Sequence, residues 1–310
     1  MKTRIVFMGT PDFAVPTLRV LIEAHDVVGV VTQPDRPAGR GRELHQSAVK
    51  REAVQRNLPV FQPRSLRTPE ALAQLAQWMP ELIVVAAFGQ ILTEEVLELP
   101  PYGCLNVHAS LLPRWRGAAP VAAAIMAGDE VTGVTVMKMD AGLDTGPIVA
   151  QRQEPIRADD TRPTLMERLS FLGAELLAET LPAYVAGDLV PQPQDDEEAT
   201  IAERLRKEDG RLDWSRPALA LDRKIRALTP WPGTYTFWEG RRLKIIEASP
   251  LPDWRGGEGP GTVVEVGDGV AVVTGQGALR LEEVQLAGKR AMGMGPFLQG
   301  HQDFVGSRLG

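Results

Sequence analysis

The sequence predicts an α/β protein in which a doubly wound, mostly parallel sheet is followed by a smaller C-terminal β-barrel. Three observations predict it. Residues 4 to 32 read as strand, turn, helix and strand, the opening of a right-handed parallel crossover. Leu82 to Ala87 is a continuous apolar run of strand length, suited to a central strand buried on both faces. After Ala202, short strands follow one another at turn-punctuated spacing, the pattern of a small barrel.

The 310 residues suffice for two domains, and 44% hydrophobic with 24% charged residues is an ordinary globular balance. A net charge of −6 argues against a general polyanion binder. The charge is uneven: residues 1 to 200 carry 18 basic and 26 acidic groups, whereas 201 to 310 carry 16 and 14. The C-terminal part is therefore the surface less hostile to nucleic acid. One cysteine excludes an internal disulfide, and four scattered histidines offer no metal-ligand spacing, so no metal is expected. No apolar run approaches the ~20 residues of a membrane span, and the N-terminal run Ile5 to Met8 is too short for a signal peptide. A cytoplasmic protein without a membrane partner is expected, and a monomer.

Arg4 to Met8 is the first strand, Gly9 to Asp12 its turn, Phe13 to Ala24 a helix and Val27 to Thr32 the second strand. Only Gly9 of a Gly-x-Gly-x-x-Gly fingerprint is present, which disfavours a dinucleotide. Gln33 to Arg42 holds two Pro and two Gly, which read against regular structure. From Arg36 to Arg51 five basic residues face one acidic residue, so the stretch is either a solvated loop or one that orders on phosphates. Ser47 to Arg56 and Pro69 to Gln77 read as helices, the second with Thr68 as N-cap. Phe88, Gly89 and Gln90 leave the central strand at the sheet's ligand edge.

Cys104 to Ala109 alternates, placing Leu105, Val107 and Ala109 on one face and Cys104, Asn106 and His108 on the other. An amide that can hold an oxyanion and an imidazole that can move a proton thus share a face. An Asn and His closing a strand end structurally would produce the same spacing. Pro113 turns the chain away before Arg114 to Gly117. Ala119 to Met126 is a small helix with Pro120 in its first turn, and Thr132 to Met137 pairs with Ile148 to Gln153 as a hairpin. Either Asp140 or Asp144 in the connecting turn can cap it, or can meet the imidazole of His108. Asp144, Thr145, Gly146 also spells the aspartic protease triplet, but one copy in this context cannot supply the paired carboxylates. Thr164 to Gly187 is the longest helix, with Thr164 and Glu167 spaced as a capping box and Pro182 placed to kink its end. Val190 to Ala199, rich in Pro, Gln and acidic residues, reads as a linker. Leu219 to Leu228 is a basic helix, followed by strands at 234–238, 243–247, 262–266, 270–274 and 278–285.

Asn106, Val107, His108, Ala109, Ser110, Leu111, Leu112, Pro113, with Asp144 in the Asp140 to Pro147 loop, resembles the core of the folate-dependent formyltransferases. The resemblance extends from Gly9, Thr10, Pro11, Asp12 through Pro34 to Arg42 to the run Leu228 to Tyr235, and is strongest to those members that act on methionyl-tRNA. It implies a Rossmann-like domain over 1–189, a linker over 190–204 and an OB-like, tRNA-binding barrel over 205–310. It also implies formyl transfer from 10-formyltetrahydrofolate to the α-amine of methionine on initiator tRNA, with Asn106, His108 and Asp144 catalytic. Folate would lie along Phe88, Gly89, Gln90, Ser110, Leu111, Leu112, Pro113, Asp140 and Gly142. The tRNA would meet Arg36, Arg40, Arg42 and Lys50 of the loop that enters the acceptor stem, and Lys207, Arg223 and Lys224 of the second domain. Related enzymes formylate nucleotide-linked amino sugars, and a 10-formyltetrahydrofolate hydrolase would use the same pocket without needing the basic loop or barrel.

Overall fold

The computed structural model describes residues 2 to 38 and 43 to 310, the side chains of Pro37, Ala38 and Glu43 excepted. They group into two compact units. The first holds the residues up to Pro120, Val131–Pro155 and Met166–Ala202, and the second Val121–Glu130, Ile156–Leu165 and Glu203–Gly310.

The first unit contains strands β1 (Arg4–Gly9), β2 (Asp26–Val31), β3 (Arg36–Ala38), β4 (Glu43–His45), β5 (Val60–Phe61), β6 (Leu82–Ala86), β7 (Cys104–His108), β8 (Arg116–Gly117), β9 (Val131–Lys138), β10 (Ile148–Pro155) and β11 (Ile201–Ala202). Among the described residues its main sheet runs β10-β9-β7-β6-β1-β2-β5. The β6–β7, β6–β1, β1–β2 and β2–β5 pairs are parallel, whereas β9 runs antiparallel to β7 and β10 antiparallel to β9. The mostly parallel sheet is as the apolar runs predict. Alternate positions within each strand, Val6 and Met8 of β1, Ile83 and Val85 of β6 and Cys104 of β7, share one buried cluster with Leu75 and Val96. This is the period-two consequence of burying one face under helices.

Helices α1 (Val15–Ala24), α2 (Ala48–Gln55), α3 (Pro69–Gln77) and α4 (Glu94–Leu97) connect the parallel strands. Thr68 caps α3 as expected, its hydroxyl accepting the Ala71 N–H at 3.3 Å. After α5 (Pro120–Ala127) comes α6 (Arg162–Ala186), whose Gly173 lets it press on the sheet: a Cβ there would sit 2.6 Å from Val107 Cγ1.

Three local expectations need correction. Gln33 to Arg42 was expected to be irregular, yet β3 pairs antiparallel with β4, Pro37 opposite Leu44. A two-stranded ribbon requires only alternate N–H groups, so proline is tolerated at the others. α6 begins at Arg162, ahead of the expected Thr164 cap. Thr164 instead reaches back from the first turn, accepting the Thr161 N–H and donating to Asp160 Oδ1. The segment after Val190 is not a free tether: Gln192 and Ile148 exchange backbone bonds at 2.7 and 2.8 Å, and β11 pairs with β8.

The second unit contains α7 (Ala218–Leu228), β12 (Thr234–Trp238), β13 (Arg241–Leu251), β14 (Val263–Val266), β15 (Gly269–Val273), β16 (Ala278–Leu286), β17 (Met292–Gly293) and α8 (Met294–Gly300). Its antiparallel sheet runs β12-β13-β16-β15-β14, with β17 on β16. Thr234, Thr236 and Trp238 point inward while Tyr235 and Phe237 are half-buried, again period two. Register shifts after Ile245 and Glu247 bend β13. The expected barrel does not close by pairing β12 with β14. The C-terminal residues bridge the gap: Val263 N–H donates to Ser307 O and Gly310 N–H to Phe237 O. The core gathers Trp214, Leu221, Trp238, Phe297, Phe304 and Leu309. The excursions at 121–130 and 156–165 join this unit through α7, where Arg226 donates to Asp160 O at 2.8 Å.

Candidate active site

β7 has two different faces. Val107 lies under α6, and Cys104 on the other face is buried beside Val96, its thiol pushed up to about 12 by loss of solvent. Two and four residues further along that second face stand Asn106, half-buried, and His108, buried. The expected juxtaposition of amide and imidazole is present.

The third group arrives from the β9–β10 connection. Lys138 pairs with Leu105 and Ile148 with Met137, so this loop leaves and returns near the start of β7, and Asp144 reaches forward along the strand's face. Its Oδ2 accepts the Gly117 N–H at 2.8 Å and lies 3.6 Å from His108 Nδ1, and its Oδ1 lies 3.5 Å from Asn106 Nδ2. His108 Nε2 is 3.0 Å from Trp115 O. A carbonyl only accepts, so Nε2 carries a hydrogen and Nδ1 is the atom turned to the carboxylate. At 3.5 Å the Asn106 contact is long, which leaves the amide free to turn to a better acceptor. Asp140 takes the capping role weighed for either aspartate: its Oδ1 accepts the Gly142 N–H and the Thr145 hydroxyl. Gly142 is required there, since a Cβ would fall 1.9 Å from Thr145 Oγ1.

The residues assigned to folate divide by exposure. Phe88, Ser110 and Leu112 are buried, with Ser110 Oγ donating to Arg114 O and Leu112 bonded at N–H to Thr135 and at O to Gln151. Gly89, Asp140 and Gly142 are exposed, and Gln90, Leu111 and Pro113 half-buried. Leu143, 60% exposed beside Asp144, is an apolar surface the sequence did not single out.

The basic residues divide as well. Arg40 and Arg42 lie outside the described residues. Arg36 is exposed and donates to Gln33, whereas Lys50 is paired with Asp35, whose carboxyl it holds, with Gln62, below the usual range. Lys207 is exposed, but Arg223 is packed against Gly128 and Lys224 donates to Arg211 O, its ammonium disfavoured by burial. Among the described residues, Arg36 and Lys207 are the assigned cations presented most openly to a polyanion.

Sequence reading missed several polar partners of the cluster. Gly117 and Trp115 act through their backbone, which no side-chain pattern announces. Thr200 accepts the Trp115 N–H at 2.8 Å, and Gln194 donates to Asp144 O and Gly146 O. Gln194 sits in the segment whose composition reads as a linker, and Thr200 directly follows it. Among the described residues no helix is long and apolar enough to cross a membrane, and no three His, Cys, Asp or Glu are grouped to hold a metal.

An amide donor, an imidazole and a carboxylate converge here, a set suited to adding a nucleophile to a carbonyl carbon. Comparison with known proteins agrees with that chemistry. The formyl transferase profile matches residues 3–181 and the formyl transferase C-terminal domain profile residues 204–302. The methionyl-tRNA formyltransferase of Myxococcus xanthus is 50% identical over 309 residues, covering 99% of this chain and 98% of its own. That of Caldanaerobacter subterraneus is 50% identical over 300 residues, covering 96% and 97%. Among solved structures, an N-formyltransferase from Helicobacter canadensis in complex with folinic acid and dTDP-3-aminofucose superposes with TM-score 0.68 at 19% identity, covering 91% of this chain and 99% of that one. A methionyl-tRNA formyltransferase from Clostridium thermocellum gives 0.54 at 19%, covering 80% and 93%. At such identities the structures speak for the fold, and the sequence relatives speak for the lineage. The chain belongs to the formyl transferase family, over both of that family's domains.

Proposed function

We propose that the protein transfers the formyl group of 10-formyltetrahydrofolate to the α-amine of methionine carried on initiator tRNA, for translation initiation. The observation that carries this is half-identity along the whole chain to methionyl-tRNA formyltransferases, second domain included. The residues assigned to the donor suit a planar, partly apolar ligand: Leu111 and Pro113 are half-buried, Leu143 is exposed, and Gly89 and Gly142 are exposed backbone without side chain. Bound 10-formyltetrahydrofolate supplies an activated formyl carbon, and the remaining demands fall on the chain. Asn106 Nδ2 donates to the formyl oxygen as charge gathers there, a contribution of about 3 to 4 kcal/mol for a well-placed donor. Asp144 takes the proton of the attacking ammonium and shares it with His108 Nδ1, 3.6 Å away. His108, held at Nε2 by Trp115 O, returns that proton towards the departing nitrogen.

Residues 1–189 serve in this reading as the catalytic domain, 190–204 as the connection and 205–310 as the tRNA-binding domain. The loop bearing Arg36, Arg40 and Arg42 meets the acceptor stem, with Lys207 as a second contact. Arg242, 3.7 Å over the Tyr235 ring, adds a stacked cation on the second unit. In this reading the protein acts as a monomer in the cytoplasm.

The likeness in fold to amino-sugar formyltransferases gives one competing acceptor. The test incubates protein and 10-formyltetrahydrofolate with methionine-charged initiator tRNA, with a nucleotide-linked amino sugar, or with neither. Formylmethionine from the first alone is expected. Formyl-sugar, or equal donor hydrolysis in all three, would overturn the assignment.

A further inference from the structure

Gln194 makes more bonds to the reacting cluster than the tethering of a connecting segment requires. Its Nε2 donates to Asp144 O at 2.8 Å and Gly146 O at 2.7 Å, and its Oε1 accepts Arg116 Nε at 3.0 Å. Both amide hydrogens and one acceptor site are thereby used. Arg116, buried to 5% exposure, places its other nitrogen 2.7 Å from Asp196 Oδ1. The next residue along, Gly117, donates its N–H to Asp144 Oδ2. Asp144 is therefore held twice: at its main chain by Arg116 through Gln194, and at its carboxylate by the backbone that follows Arg116.

The aspartate needs such support. Its φ is +52°, in the left-handed region that a residue with a Cβ enters at a cost. Tethering alone is already provided by the Gln192–Ile148 backbone pair, and the Arg116 side by Thr200, whose carbonyl accepts the Arg116 N–H at 2.8 Å. What Gln194 adds is the direction of the Asp144 peptide, and hence of the carboxylate beside His108.

We infer that Gln194 is a positioning residue for Asp144, fixed in turn by Arg116, and that the segment after Val190 thereby sets the geometry of formyl transfer. The inference rests on the reaction proposed above. It predicts an effect on turnover that passes through Asp144.

Gln194→Met keeps the length of a half-buried side chain and removes its hydrogen bonds. Single-turnover rates and KM for 10-formyltetrahydrofolate are measured for wild type, Gln194→Met, Asp144→Asn and the double variant, with thermal midpoints alongside. Loss of two aligned hydrogen bonds should lower the rate of Gln194→Met about tenfold or more, with KM for the donor within about twofold. In the Asp144→Asn background the same substitution should change the rate by less than about twofold, because its route is already cut. Wild-type rate in Gln194→Met, or an equal proportional loss in both backgrounds, would overturn the inference. Absence of formyl transfer by the wild type would instead defeat the functional reading. A crystal structure of Gln194→Met then decides positioning by itself: an Asp144 carboxylate moved off the Gly117 N–H supports it, and an unmoved one refutes it.

Discussion

Asp144 Oδ2 lies 3.6 Å from His108 Nδ1, while the same oxygen accepts the Gly117 N–H at 2.8 Å. The backbone bond is the tighter one, so the carboxylate is placed by the main chain and the imidazole is placed against it. The geometry of this cluster is therefore built into the 115–117 and 140–147 segments, and β7 supplies the groups that face them.

In the proposed mechanism Asn106 is the group whose removal isolates the oxyanion contribution. Asn106→Ala leaves His108 and Asp144 with their own anchors and should lower kcat by about a hundredfold to a thousandfold, the range for a single oxyanion donor. Folate affinity, measured by fluorescence titration or calorimetry, should change little. A rate within a few-fold of wild type would remove Asn106 from the reacting groups.

Cys104 shares the strand face with this pair but is closed off. Burial raises its thiol to about 12, so at pH 8 the folded protein holds it neutral. A raised folded pKa means its contribution to stability is complete below the unfolded value of ~8.5 and declines as pH rises towards 12. Aromatic disulfide reagent at pH 8 should label unfolded protein fully and native protein at the rate of unfolding. Immediate native labelling would contradict the burial.

Arg40 belongs to the basic loop read as the tRNA contact. Arg40→Ala should lower kcat/KM for charged tRNA about tenfold, leave folate binding intact and flatten the salt dependence of the rate by about one counterion. An unchanged salt slope would place the loop away from phosphate.

Leu309 tests the device that joins the edges of the second unit's sheet. It is 3% exposed in the core, and its N–H donates to Gly261 O at 2.8 Å. Leu309→Ala should destabilise that unit by about 3 kcal/mol in denaturant melts, as buried leucines commonly do. A loss under about 1 kcal/mol would mean that the C-terminal residues are ornamental to the core.

Strand and helix positions were legible in the sequence wherever burial imposed a period. β12, α3 and the faces of β7 follow from alternation and capping alone, because those rules are local. Asn106 and His108 were legible as neighbours for the same reason. Local rules offer Asp144 only as one of two aspartates, and the family resemblance alone singles it out, because the choice between capping and reacting depends on where a doubled-back loop lands. The anchoring of 190–202 was illegible: Pro, Gln and acidic residues look like a linker whether their amides face water or the carbonyls of another loop. Gln194 differs from a solvated glutamine only through its partners, and those lie about fifty residues away. The ribbon at β3 and β4 was hidden by a composition rule that holds for sheets with neighbours on both sides and relaxes for a pair.

The measurement closest to the central claim is the single-turnover rate of formyl transfer to methionine-charged initiator tRNA by Asp144→Asn, at saturating 10-formyltetrahydrofolate. Asparagine retains an oxygen that can accept the Gly117 N–H but cannot take up the ammonium proton. The account predicts a rate lower by about a thousandfold or more, with folate affinity nearly unchanged. A rate within tenfold of wild type would show that the proton leaves by another path, and that the convergence of Asn106, His108 and Asp144 is structural.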